Sequence, residues 1–254
     1  MSVNIQTQIE GGILLITINR PEKKNALIAE MYSAIADALE NAATSSQVRV
    51  AMLTGAGEAF TSGNDIQEFL NGVSSAPFKE TPLGRFMHGL SAFPKPVIAA
   101  VNGLAIGIGA TMLLHCDLVY AAAEARLQFP FVKIGLCPEF GSSFILPRVM
   151  GNARAAELML SGEPFSAEVA LAYGLVNAVV PASNVLKYAL ERATKLAQQP
   201  PKALQETKRL LRRWTQDEVL EAMHLEMECF KSMLNQDEAK QALEAFTAKR
   251  PAKI

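Results

Sequence analysis

Apolar positions recur along the first part of the chain with two different periods. Residues 5–9 and 13–18 are short runs rich in β-branched side chains, joined by Glu10-Gly11-Gly12. Two glycines between such runs predict a hairpin turn. Asn19-Arg20-Pro21 ends the second run. Ile28, Met31, Ile35, Leu39 and Ala42 then recur at helical spacing, which predicts an amphipathic helix over 27–43. Residues 48–54 read as a strand closed by Gly55-Ala56-Gly57. Residues 97–101 are continuously apolar, as expected of a strand covered on both faces, and 118–122 read as a third strand. Strands alternating with helices predict an α/β core built from right-handed crossovers.

Beyond about Gly151 the pattern turns almost wholly helical. Leu186, Ala189, Leu190, Ala193 and Ala197 share one helix face; Leu204, Thr207, Leu210 and Leu211 share another; and 218–234 is dense in Met and Leu. These late apolar helices are expected to pack on the α/β core or on another subunit. Pro200-Pro201 and Asn235-Gln236-Asp237 mark breaks between them. Residues 72–84 (GVSSAPFKETPLG) read as a mobile loop.

Composition narrows the class of ligand. With 254 residues, 50% of them hydrophobic and 19% charged, the chain has the balance of an ordinary globular protein. A net charge of −1 supplies no global field to recruit nucleic acid or an anionic membrane, so an anionic ligand must be met by a local site. Cys116, Cys137 and Cys229 form no CxxC pair and support neither a zinc site nor a disulfide framework. No basic segment followed by an apolar run opens the chain, and no secretory leader is expected. The longest apolar stretch, 97–114, is broken by Asn102, Gly103, Gly107 and Gly109. That suits a strand, a loop and a helix better than a membrane span. A cytoplasmic protein without a metal is the expectation.

Three segments could carry chemistry. Phe60-Thr61-Ser62-Gly63-Asn64-Asp65 and Asn102-Gly103-Leu104-Ala105-Ile106-Gly107-Ile108-Gly109 each follow a predicted strand and lead into a predicted helix. Such turns leave amide hydrogens free, and two of them facing each other would form an oxyanion hole. Taken singly, a glycine loop before a helix is more often plain packing. The second loop does not complete GxGxxG, because position 112 is Met, and neither GxxxxGK[ST] nor GxSxG occurs. His88, His115 and His224 lie far apart and read as structural or surface groups. In the third segment Glu139 is a lone carboxylate among apolar and small residues, flanked by Pro138 and Phe140. Read from composition, it is either a solvated turn residue or, if buried, a general base with a raised pKa. Cys137 reads as a packing residue.

The segments NRPEKKNAL (19–27), FTSGNDI (60–66), PKPVIAAVNGLAIGIGATMLLHCDL (94–118), PEFGSS (138–143), AYGLVNAVVP (172–181) and AFTAKRPAK (245–253) follow one another as in the crotonase superfamily of enoyl-CoA hydratases and isomerases. The chain resembles that family over essentially its whole length. The resemblance implies an α/β fold, a spiral of ββα units over 1–195 with a C-terminal helical trimerisation region over 196–254. It also implies a homotrimer or dimer of trimers, with an acyl-CoA thioester as substrate and no separate cofactor. The enolate would be held by the backbone N–H groups of Asn64 and Ile108; the family usually has glycine at the second position, and the extra side chain is expected to narrow the pocket. Lys24 and Ala26 would lie near the adenine and ribose phosphate, and Ser62, Gly63, Asp65, Ile66 and Gly107 along the pantetheine and loop backbone. Phe246 and Lys249 match positions that reach a ligand, and 72–84 is expected near the acyl pocket. The two glutamates of the hydratases fall on Thr111 and Phe131, whereas Glu139 matches the single glutamate of the peroxisomal-type Δ3,Δ2-enoyl-CoA isomerases. The expected activity is therefore isomerisation; an enoyl-CoA hydratase and a non-catalytic acyl-CoA-binding protein are the alternatives.

Overall fold

The hairpin forms where its two glycines predict it, with β1 (Ile5–Glu10) antiparallel to β2 (Ile13–Ile18). The computed structural model describes residues 2–67 and 76–248, apart from the side chains of 246–248. From β2 the chain enters α1 (Ala29–Thr44), which buries Met31, Tyr32, Ile35, Ala36, Leu39 and Ala42. It then winds into a spiral. β3 (Val50–Gly55), β5 (Val97–Val101) and β7 (Leu118–Ala122) add in turn to one sheet. The short strands that follow each of them, β4 (Ala59–Thr61), β6 (Leu104–Ile106) and β8 (Arg126–Gln128), add in turn to a second. With β9 (Phe165–Ser166) and β10 (Ala178–Val180), the orders are β1-β2-β3-β5-β7-β10 and β4-β6-β8-β9.

Each coil thus gives one strand to each sheet, and β2-β3-β5-β7-β10 and β4-β6-β8 are parallel throughout. All five residues of β5 are fully buried, which accounts for its unbroken apolar run. α2 (Pro82–Ser91) packs on α1. The loop expected over 72–84 is corrected in part. Residues 72–75 lie outside the described ones, but Phe78–Glu80 is a helical turn and α2 follows at once. Thr81 caps α2 by accepting the Gly84 N–H at 3.0 Å, with Pro82 at the first helical position; this is a helix start rather than an irregular loop.

After α3 (Ile108–Thr111) the helices are α4 (Ser142–Met150), α5 (Asn152–Ser161), α6 (Ala167–Ala172), α7 (Val185–Ala197), α8 (Pro201–Arg212), α9 (Gln216–Leu234) and α10 (Asp237–Ala248). α7 lies across β3, β5 and β7. In the single chain Leu210 and Leu211 of α8 do not pack on the core, being 52% and 79% exposed, and the buried residue of this helix is Lys208. Its Nζ donates to Asp117 Oδ2 and to the Lys95 carbonyl, each at 2.7 Å. Arg212 donates to Asp117 Oδ1 at 2.9 Å and to the His115 carbonyl at 2.8 Å. Ion pairs on one aspartate, rather than a leucine stripe, seat α8 on the core. Among the described residues no helix is long and apolar enough to cross a membrane.

Candidate active site

A cleft of about 880 Å³ opens where the ends of β4 and β6 face the segment 134–139 and the last two helices. One wall is backbone. β4 and β6 are parallel neighbours, with Ala59 opposite Leu104 and Thr61 opposite Ala105, so the chains leaving them emerge side by side. Leaving β4, the Leu27 N–H donates to the Gly63 carbonyl and the Asp65 N–H to the Leu27 carbonyl, both at 2.8 Å. In that bridge the N–H of Asn64 is turned away from Leu27. Ile108 is the first residue of α3, where an amide has no partner within the helix. Among the described residues neither amide has a protein acceptor.

Two glycines set this wall. Gly63 has φ 88°, and a Cβ there would lie 2.6 Å from the Ile106 carbonyl oxygen; the absent side chain lets the two loops touch. Gly107 has φ 57° and ψ −122°, a conformation essentially reserved for glycine, and it aims the chain into α3. Tyr32 donates its hydroxyl proton to Asn64 Oδ1 and so anchors the first loop to α1. Ile108 is 1% exposed, packs against the core and also lines the cleft.

The other wall is a side chain. Glu139 is 4% exposed and accepts a hydrogen bond on Oε1 from the Thr111 hydroxyl. Burial pushes its pKa up to about 8; the Thr111 bond opposes the rise and the nearby Glu226 adds to it. Phe140 and Gly141, which follow, are both left-handed, at φ 62° and 70°. For a phenylalanine this costs about 1–2 kcal/mol and must be imposed by its surroundings. His115 imposes part of it: its ring stacks on that of Phe140 at 4.0 Å, and its Nε2 lies 2.7 Å from the Phe140 carbonyl. Burial lowers the His115 pKa to about 3, so the ring is neutral and the contact requires the Nε2–H tautomer as donor.

At the mouth, Arg20 pairs with Asp65 at 2.8 Å and donates to the Ala26 carbonyl at 3.1 Å. Burial acts to raise the Asp65 pKa, but the hydrogen bonds from Arg20 and the Gln67 N–H outweigh it and hold the carboxyl below its usual range. Asp65 therefore ties the loop rather than offering a free carboxylate.

Of the twelve site residues expected from the sequence, ten line this single cleft: Glu139, Asn64, Ile108, Lys24, Ala26, Ser62, Gly63, Asp65, Ile66 and Gly107. Phe246 belongs to α10 but its side chain lies outside the described part, as does Lys249. Phe131 also lines the cleft, and Thr111 meets Glu139. Sequence reading missed Arg20, Tyr32 and Glu226, and left His115 without a role. Arg20 stood inside the quoted NRPEKKNAL segment, but no local signal marked the others.

These two walls stand on a spiral of coils with short paired strands, and comparison with known proteins agrees. Residues 8–254 match the family model for Enoyl-CoA hydratase/isomerase. The chain belongs to that family. Among solved structures, Pseudomonas aeruginosa OdaA superposes with a TM-score of 0.94 at 47% identity, covering 98% of this chain and 100% of that one. An enoyl-CoA hydratase/isomerase from Pseudoalteromonas atlantica T6c gives 0.93 at 39%, with 99% of each chain covered. The fold of this family member is the crotonase fold. Enoyl-CoA delta isomerase 2 of Rattus norvegicus is 38% identical over 98% of this chain; the match spans 65% of the relative's own length. The 2,3-dehydroadipyl-CoA hydratase of Escherichia coli K12 is 36% identical over 94% of this chain and 93% of its own. Isomerase and hydratase names therefore occur at similar distances.

Proposed function

We propose that this enzyme shifts the double bond of a 3-enoyl-CoA to give the trans-2-enoyl-CoA. The observation that carries the reading is the state of the carboxylates in the cleft. Glu22 and Asp65 both lie beside Arg20 at the mouth, whereas Glu139 is buried and, among the described residues, has no cationic partner. The positions that hold the hydratase pair in the family resemblance carry Thr111 and Phe131, neither of which exchanges a proton as a carboxylate does. Hydration needs a group to activate water as well as one to handle the α-proton; isomerisation needs one carboxylate that moves a single proton.

In the proposed reaction the ionised Glu139 takes a proton from C2. The electron pair spreads over the dienolate to the thioester oxygen, which accepts hydrogen bonds from the Asn64 and Ile108 amides. Glu139 then returns the proton at C4, the double bond now lies between C2 and C3, and the enzyme is regenerated. One such donor supplies roughly 3 kcal/mol of transition-state stabilisation, so the pair accounts for a large share of the acceleration. A pKa of about 8 makes Glu139 a stronger base than an exposed glutamate, though one that must first lose its proton. Lys24 and the backbone of Ser62 to Ile66 would meet the CoA moiety.

The test is a panel of 3-enoyl-CoA and 2-enoyl-CoA substrates. Wild-type protein is expected to form the 2-enoyl chromophore from the first and not to consume it in the second. Glu139→Gln is expected to lower turnover by about 10³-fold with CoA binding intact. Steady loss of the 2-enoyl chromophore with wild-type protein would establish a hydratase instead.

A further inference from the structure

Glu226 is a buried carboxylate, 6% exposed, on α9. It does not line the cleft, and no step of the proposed reaction uses it. Its oxygens are nonetheless committed to the segment that carries Glu139. Oε2 accepts the Gly141 N–H at 2.6 Å; Oε1 accepts the Ser143 N–H at 2.8 Å and the Ser143 hydroxyl. Gly141 and Ser143 bracket the start of α4, whose own N-cap position offers no side-chain acceptor. A carboxylate from 85 residues away therefore closes the N-terminus of α4, where its negative charge is favoured. The same bonds bear on the left-handed pair Phe140–Gly141, directly after Glu139. Such strain persists only where the surroundings over-determine it.

We infer that Glu226 is a positioning residue: from α9 it holds the 139–143 turn, and with it the Glu139 carboxyl, in the geometry needed for proton transfer. This deepens the proposed enolate chemistry and rests on Glu139 being its base. The groups facing Glu139 are few. Thr111 donates to it from α3. Cys137 lies on its own segment with a thiol pushed up to about 11 by burial, and His115 beneath Phe140 is neutral. Among the described residues Glu226 is the charge that acts on it, and burial raises the pKa of Glu226 as well. The two carboxyls differ in support: Glu226 accepts three hydrogen bonds at a helix start and Glu139 one, so Glu226 is the one suited to hold charge.

The experiment measures exchange of the α-proton of a saturated acyl-CoA in D₂O, against pH, together with isomerisation of a 3-enoyl-CoA. Exchange requires only the base and the oxyanion donors. In Glu226→Gln the exchange kcat is expected to fall 10- to 100-fold with KM changed less than two-fold, and the acid limb of the profile to move to lower pH because a like charge is gone. Glu226→Asp keeps the charge, so its limb should return to the wild-type pH although its shorter reach leaves kcat low. A purely stabilising residue would leave the limb where it was, and a folded Glu226→Gln protein with wild-type kcat and an unmoved limb overturns the inference. Should that variant not fold, Ser143→Ala decides: a several-fold fall in kcat at constant KM supports the role, and an unchanged kcat refutes it. Wild-type protein that exchanges the proton without isomerising a 3-enoyl-CoA breaks the isomerase reading and leaves this one intact. Wild-type protein that does neither removes both.

Discussion

The two walls of the cleft are made of different material. The donor wall is backbone, delivered by β4 and β6, which are neighbours in one sheet, and secured by contacts within the first 128 residues, the last of them the Gly107 N–H on the Gln128 carbonyl of β8. The carboxylate wall is one side chain on a strained turn, held by His115 from one side and by Glu226 of a distant helix from the other. A wall of amides tolerates changes of side chain but not of backbone path. A wall made of one carboxyl tolerates neither a change of that group nor a loosening of its supports. This is why an isoleucine is accommodated at 108, where the N–H at the start of α3 is still presented.

After Glu139 itself, the comparison can be broken most severely at Gly63. Gly63→Ala would drive a Cβ to 2.6 Å from the Ile106 carbonyl and separate the loops; we expect kcat/KM for the 3-enoyl-CoA to drop about 10²-fold, the effect of losing one donor. A loss of less than a few-fold would mean that the amides do not act as a pair. Next is Thr111→Val, which keeps the shape and removes the donor to Glu139. Because Glu139 must be ionised to act, kcat/KM of the wild type should rise with pH and level off above about 8. Without the donor that favours its ionised form, the limb should move to higher pH and the rate at pH 7 should fall several-fold. A limb that shifts downward contradicts the assigned role of Thr111. The smallest change is expected from Asn64→Ala. The amide remains, so kcat should stay within about three-fold, while the lost bond to Tyr32 costs about 1 kcal/mol in denaturant unfolding. A large kcat loss there would mean that the donor wall depends on a side chain after all.

Much of the scaffold was legible from periodicity. The hairpin, α1, β3, β5 and β7 all fall within a residue or two of the apolar patterns that announce them. The strands of the second sheet were not, because β4, β6 and β8 are three residues long and three residues show no period. The glycine loops announced free amides but not that they would emerge side by side, which depends on the register of β4 against β6. Glu139 could be singled out as a residue, yet its burial, and with it its basicity, was decided by helices that arrive later in the chain. Glu226 was hidden for the opposite reason. A glutamate in a long helix with acidic neighbours reads as a solvated face, and nothing local betrays that Gly141 and Ser143 will meet it. On α8 the leucine pattern gave no sign of the charged contact with the core that Asp117 offers Lys208 and Arg212.

The order of strands in the larger sheet repeats the order of the chain, β1-β2-β3-β5-β7-β10, so every coil beds on the one made just before it. A growing chain can lay such a stack down from its N-terminus, each layer finding its partner already in place. The donor wall is complete once β8 has been laid, where the Gln128 carbonyl accepts the Gly107 N–H. The carboxylate wall is not, for Arg212 reaches back 97 residues to the His115 carbonyl and Glu226 reaches back 85 to Gly141. During synthesis, then, the two free amides can be in place before the turn that carries Glu139 gains its supports from the last helices.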